Sequence, residues 1–206
     1  MVPDFSYELA TGFALVAGVD EVGRGPLAGP VTAAAVILNP SDIPTGLNDS
    51  KKLTAARREV LFGEIMSRAT VCVAHASVAE IDELNILRAS HLAMERAVAG
   101  LAIVPQHLLI DGNLIPRGLT MGATAIIKGD AKSLSIAAAS IVAKVTRDRL
   151  MHALGVQFPG YGWAENVGYP TKHHLAALLN LGITPWHRQS FKPVHNILYQ
   201  ELLVTP

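Results

Sequence analysis

Phe13-Ala14-Leu15-Val16-Ala17-Gly18-Val19-Asp20-Glu21 runs, after Val22, into Gly23-Arg24-Gly25-Pro26-Leu27-Ala28-Gly29-Pro30. A short apolar run bounded by turn residues predicts a buried strand. Two adjacent carboxylates at its end repel each other and lose hydration, which a fold tolerates when something cationic sits on them. A hard divalent ion, magnesium or manganese, is the simplest candidate for carboxylate oxygens. The plain alternative is a solvated Asp-Glu turn. The glycines favour the first reading, because Gly23, Gly25 and Gly29 suit backbone that turns sharply and lies close to a ligand. Arg24 between two of them offers a planar donor fork suited to phosphate.

Two further acids have the same character. The run His107-Leu108-Leu109-Ile110 ends in Asp111, and Ala123-Thr124-Ala125-Ile126-Ile127 is followed by Lys128-Gly129-Asp130. Three strand-like segments thus end in, or just before, a carboxylate. In open α/β sheets function gathers beyond strand ends. Four acids there suit a nuclease-like or phosphoryl-transfer site with two metal ions. Their spacing in sequence does not by itself bring them together.

The chain has 206 residues, half of them hydrophobic. That suits one domain with a small helical appendage. Strands are predicted over 13–20, 31–38 and 71–76. Helices are predicted after Thr54 and after the capping-box sequence Ser77-Val78-Ala79-Glu80, over 86–99, over 133–154, and from Lys172 to Leu181 behind Thr171. Residues 158–163 read as a loop. His91 reads as a packed core residue, and the neighbours His173 and His174 would face different ways on a helix. The one cysteine, Cys72, excludes an internal disulfide and fits a cytoplasmic protein. No stretch has the length and apolarity of a membrane span, and no secretory leader is expected. Net charge is zero, but residues 141–192 hold six cations (Lys144, Arg147, Arg149, Lys172, Arg188 and Lys192) against Asp148 and Glu165. That excess is the expected footprint for a polyanion.

The segment Asp20-Glu21-Val22-Gly23-Arg24-Gly25-Pro26-Leu27-Ala28-Gly29-Pro30-Val31 resembles the signature of the ribonuclease HII family. Further matches follow in order: Asn48-Asp49-Ser50-Lys51-Lys52-Leu53, Asp111-Gly112, Lys128-Gly129-Asp130, the run Ser135 to Val145, Arg147-Asp148, Gly168-Tyr169-Pro170-Thr171, and His187-Arg188-Gln189-Ser190-Phe191. The resemblance spans about positions 13 to 195. It implies a ribonuclease H-like α/β fold, with a five-stranded mixed sheet flanked by helices and a small C-terminal helical subdomain. The expected division is an N-terminal extension over 1–12, a catalytic core over 13–150, and a C-terminal helical region over 151–206 that helps bind the duplex.

The same resemblance implies an endonuclease that hydrolyses the RNA strand of RNA–DNA hybrids and incises at single ribonucleotides in duplex DNA, leaving 3′-hydroxyl and 5′-phosphate ends. Asp20, Glu21, Asp111 and Asp130 would be catalytic and would hold two Mg2+ or Mn2+ ions. Asp148 would have at most a supporting role. Gly23, Arg24, Gly25, Tyr169, Lys51 and Lys144 would bind substrate, with Tyr169 on the ribose 2′-hydroxyl. The protein is expected to act as a monomer in the cytoplasm, with nucleic acid and no membrane as its partner. Val22 stands where alanine is usual. Asn166-Val167 stands where the family commonly has His-Lys, so if that lysine touches a phosphate, one such contact is lost here.

Two other readings compete. A nucleotide-binding loop of the Walker type needs Gly-Lys-Ser/Thr leading into a helix, whereas Gly29 leads to Pro30 and a strand-like run. A silent nucleic-acid-binding module would not need all four acids. The related HIII subtype usually carries an additional N-terminal domain, which the 12 residues before Phe13 are not expected to supply.

Overall fold

A computed structural model describes residues 2–199. Met1 and residues 200–206, the last part of the expected C-terminal region, lie outside the described residues. Strand β1 spans Val16–Val22 rather than 13–20. The amides of Ala14 and Leu15 donate to the side-chain Oε1 of Gln106 at 3.1 and 3.0 Å, so they are taken before the strand ladder begins. At the other end, antiparallel pairing with β2, Val31–Ile37, runs on through Glu21 opposite Ala33 and Val22 opposite Thr32. Asp20 and Glu21 are therefore strand residues, which removes the solvated-turn reading.

Strands β3 (Thr70–Ala76), β4 (His107–Asp111) and β5 (Ala123–Ile126) complete a sheet in the order β3-β2-β1-β4-β5. β1 pairs parallel with β4, and β4 parallel with β5, so the five-stranded sheet is mixed as expected. Cys72 lies half-buried on the edge strand β3, where burial pushes its thiol pKa up.

The helices are α1 (Ser6–Ala10), α2 (Ala55–Arg68), α3 (Val78–Leu84), α4 (Ile86–Ala99), α5 (Leu134–Gln157), α6 (Trp163–Asn166), α7 (Lys172–Leu181) and α8 (Lys192–Tyr199). The expected caps are present. Thr54 Oγ1 accepts from Arg57 N at 3.2 Å, Ser77 and Glu80 form a reciprocal capping box, and Thr171 Oγ1 accepts from His174 N at 3.2 Å. Trp163 opens α6 rather than closing a loop. α1 and α8 were not expected. α1 is too short to show a helical period. None of the helices among the described residues is long and apolar enough to cross a membrane.

The chain forms two compact units. The first holds the residues up to Val22, Thr32–His75 and Ser90–Val145, and the second holds Gly23–Val31, Ala76–Ala89 and the residues from Thr146 onward. In the first, Ala34 and Val36 of β2, Leu61 and Ile65 of α2, and the Ala137–Val145 part of α5 share one core cluster. The small side chains of α5 serve close packing, as their sequence suggests. Gly18 of β1 lies against the backbone at the start of α5, where a Cβ would collide with the carbonyl group of Ser135.

The N-terminal segment belongs to this unit. Glu8 of α1 is 1 % exposed, and its Oε1 accepts from Ser133 Oγ at 2.6 Å and from Ser135 N at 2.8 Å. A carboxylate at the N-terminus of α5 satisfies one amide that the helix itself leaves unpaired and meets the positive end of its dipole. In the second unit, Leu27, Met151, Leu154, Tyr161, Trp163, Ala177, Leu178 and Val194 form the core.

Gly18→Ala forces the start of α5 away from the sheet. We expect it to lower unfolding free energy by about 3 kcal/mol, the upper part of the range for overpacked cores, measured as the shift of the urea midpoint at unchanged slope.

Candidate active site

Sheet register brings the first three acids to one end of the sheet. Val19 of β1 is the parallel partner of Ile110 of β4, so Asp20 and Asp111 follow side by side on neighbouring strands. Asp111 is paired in register with Ile126 of β5. After β5 the chain turns through Lys128, with φ +56°, into the short 3-10 turn Gly129–Ala131 that carries Asp130. Gly129 N donates to Asp111 Oδ1 at 2.6 Å, which ties that turn to the end of β4.

The electrostatics show that the four acids converge. Asp20 is 6 % exposed. Burial raises its carboxyl well above the ordinary range, and the charges of Glu21, Asp111 and Asp130 push the same way, against a stabilising bond from the Glu21 amide. That bond, to Asp20 Oδ1, measures 2.7 Å. Asp130 is raised by burial, by Asp111 and by Asp49, while Lys51 lowers it. Asp49 is a fifth acid that sequence reasoning did not single out, and it lies near enough to Asp130 to push that carboxyl up. Its signal was masked by its capping role, since Asp49 Oδ1 also accepts from Lys51 N at 2.9 Å.

An all-oxygen donor set of this kind fits magnesium or manganese and not a thiolate-seeking metal. Among the described residues, no three His, Cys, Asp or Glu side chains stand as a ready-made ligand group. Asp20 and Asp111 each turn one oxygen to a neighbouring amide. A divalent cation supplies the attraction that would gather them.

The second unit holds the glycine-rich turn and Tyr169. Tyr169 is 44 % exposed. A Cβ on Gly25 would stand 3.4 Å from its ring carbon Cε1, so the glycine leaves one face of that ring open to a close neighbour. Arg24 is exposed. The turn is held by two buried arginines. Arg188 donates from Nε to Gly29 O at 2.9 Å, from Nη1 to Arg24 O at 3.0 Å and from Nη2 to Gly23 O at 2.6 Å. Arg147 donates from Nε to Pro30 O, from Nη2 to Ala28 O and from Nη1 to Val167 O at 2.9–3.0 Å.

This corrects the expected cationic footprint. Arg147 and Arg188 are 1 % and 0 % exposed, and burial brings their pKa values down to about 10 and about 9. They are scaffolding for the turn, leaving Lys144, Arg149, Lys172 and Lys192 against Asp148 and Glu165. A charge count along the sequence cannot see burial. Lys51 is exposed and Lys144 half-buried.

Two histidines of the same stretch, His174 and His187, are buried as well. His173 faces out and His174 faces in, as their adjacency on α7 predicts. His174 Nε2 accepts from Trp163 Nε1 at 3.1 Å and lies 3.1 Å from His187 Nε2, while its Nδ1 lies 2.9 Å from Tyr169 O. His187 Nδ1 accepts from Thr184 N at 2.9 Å. A sequence signal existed, because His174 shares a helical face with Ala177 and Leu178.

Comparison with known proteins agrees with this geometry. The sequence model of the family described as Ribonuclease HII matches residues 17–194. Ribonuclease HII of Cereibacter sphaeroides (strain ATCC 17025) is 68% identical over 207 residues, covering 99% of this chain and 98% of the relative. The crystal structure of ribonuclease H2 from Pyrococcus horikoshii OT3 superposes with a TM-score of 0.77 at 30% identity, over 92% of this chain and 99% of that one. Bst-RNase HIII, solved in complex with Mn2+, shares the fold with a TM-score of 0.68 at 20% identity, over 90% of this chain and 70% of that one. A sheet that ends in four converging acids, together with a match over nearly the whole chain, makes this nuclease a member of the ribonuclease HII family.

Proposed function

We propose that the protein hydrolyses the RNA strand of RNA–DNA hybrids and incises duplex DNA at single embedded ribonucleotides, leaving 3′-hydroxyl and 5′-phosphate ends. The observation that carries this is the buried Asp20 carboxyl, raised by three other carboxylates at the end of the sheet. Asp20, Glu21, Asp111 and Asp130 are the catalytic groups and the ligands of two Mg2+ or Mn2+ ions. The Mn2+ held by the HIII relative of the same fold supports that choice of metal. When bound, the ions lower the pKa of the attacking water and stabilise the leaving 3′ oxygen.

The chain itself contributes placement. The Glu21 and Gly129 amides fix one oxygen each of Asp20 and Asp111, so these ligands do not have to be ordered at the moment of reaction. In-line attack then depends mainly on alignment and charge. In the second unit, Gly23, Arg24 and Gly25 present backbone to the ribonucleotide, and Tyr169 reads its 2′-hydroxyl, a group that both donates and accepts. Lys51 and Lys144 contact phosphates, and the region over 151–206 helps hold the duplex.

Asp20→Asn removes one ligand charge worth several kcal/mol of transition-state stabilisation. Cleavage of a duplex with one ribonucleotide should fall about a thousandfold or more, while hybrid binding is kept. Chelator should have the same effect on the wild type, with magnesium or manganese restoring activity. Near-normal turnover by Asp20→Asn would overturn the metal assignment.

Tyr169→Ala should lose incision at a lone ribonucleotide far more than duplex binding. Tyr169→Phe, which keeps the ring, should lose the share due to the hydroxyl, about 1–3 kcal/mol if a buried partner is left unpaired. Incision rates and Kd values on the same duplex separate the two losses.

Lys51→Ala and Lys144→Ala should each weaken binding to all sequences alike. Each should flatten the plot of log K against log salt by about 0.9 for every phosphate that the lysine neutralises on a B-form duplex. An unchanged slope would assign phosphate binding to other residues.

A further inference from the structure

The buried histidines of the second unit have no part in the chemistry above, yet one of them ends on the backbone of Tyr169. We infer that His174, oriented by His187, is a positioning residue for ribonucleotide recognition: it clamps the Tyr169 carbonyl and so fixes where the Tyr169 ring is presented. The inference rests on Tyr169 reading the ribose.

Three fixed ends determine the direction of every bond in the network. The indole Nε1–H of Trp163 can only donate, so His174 Nε2 is an acceptor. The proton of neutral His174 is then on Nδ1, which faces Tyr169 O, a group that can only accept. At the far end the amide of Thr184 can only donate, so His187 Nδ1 is an acceptor and its proton is on Nε2, facing His174 Nε2. The three constraints agree on one pair of tautomers: His174 carries Nδ1–H and His187 carries Nε2–H. Each proton is placed by the partner on the opposite side of the ring.

An added proton on either ring would have to go on a nitrogen that already accepts from a donor. Burial, first, holds both rings down: His187 to about 4, with His174 acting the same way, and His174 below its usual value, with His173 acting the same way against its bond to the Tyr169 carbonyl. Both rings are therefore neutral and fixed in orientation near pH 7.

Tyr169 lies between α6 and α7, outside both helices. Its carbonyl accepts from Thr171 N at 2.8 Å as well as from His174, so both lone pairs are used. Its amide donates to Asn166 O at 2.8 Å. The peptide is thus locked on both sides, and the ring reaches the surface from a clamped backbone. A group that reads a 2′-hydroxyl must be held to within about 0.5 Å, by neighbours that are themselves locked by packing and hydrogen bonds. Tyr161 and Trp163 supply that packing, with ring centroids 5.0 and 5.2 Å from His187.

The test compares His174→Phe, which cannot donate, with His174→Asn, whose side-chain amide can donate from near the place of Nδ1. Both are assayed on a duplex with one ribonucleotide, alone and combined with Tyr169→Ala. His174→Phe should lower kcat about tenfold, the size of one lost hydrogen bond, with KM within about twofold of wild type. His174→Asn should recover most of that loss. In the Tyr169→Ala background His174→Phe should add little, because the side chain it positions is gone. Equal impairment by both substitutions, or full additivity with Tyr169→Ala, would overturn the inference. Nitrogen NMR of the wild type at pH 7 gives a readout that needs no variant to fold. It should find the Nδ1–H tautomer on His174 and the Nε2–H tautomer on His187, and any other pair would overturn the network. If Tyr169→Ala by itself incises at the wild-type rate, it is the ribose-sensor reading that fails, independently of the tautomer result.

Discussion

The mutual repulsion of Asp20, Glu21, Asp111 and Asp130 is the constraint against which the sheet unit is built. Carboxylates do not gather on their own account, so backbone must hold them. The register of β1 against β2 keeps Glu21 within the strand, and the parallel pairing of β1 with β4 sets Asp20 beside Asp111. The Gly129 amide ties the turn bearing Asp130 to Asp111. Behind this lies the close approach of Gly18 to the start of α5, two residues before Asp20. Like charge held this close is relieved by a small, hard cation, which would remove repulsion as well as form bonds.

The second unit solves a different problem. Its glycine-rich segment is a turn, and a turn leaves carbonyls without sheet or helix partners. Two guanidinium groups take up five of them and the carbonyl of Val167, and each side chain is a planar fork that can hold three directions at once. Removing these cations from water is costly and is reflected in their lowered pKa values. The return is a turn fixed in shape, with Gly23 and Arg24 carbonyls both held by Arg188. The histidine network does the same for Tyr169 with neutral groups, which carry no such desolvation cost of charge. Arginines and histidines that could pass for solvated groups in the sequence are thus the internal frame of the glycine-rich turn and of Tyr169.

Many of the elements in both units were legible in the sequence. Apolar runs ending in Asp20, Asp111 and near Asp130 marked strand ends, and Thr54, Ser77 and Thr171 marked helix starts, because caps and short runs are local signals. Strand limits were less legible: Gln106, far away in sequence, satisfies the amides of Ala14 and Leu15 and thereby delays the start of β1. The scaffold roles of Arg147 and Arg188 were hidden for the same reason, since charge is visible in sequence and burial is not. Asp49 sits inside a motif without standing out as an acid, because only its neighbour in space, Asp130, gives it that meaning.

By itself the sequence determined the class of fold, the four acids and the chemistry they suit, because strand period, turn residues and carboxylate placement are fixed within a few positions along the chain. Tertiary structure alone decided which acids feel one another, which cations are scaffold, and which tautomers His174 and His187 adopt. Those properties depend on burial and on donors brought from distant segments, and neither has a local signature.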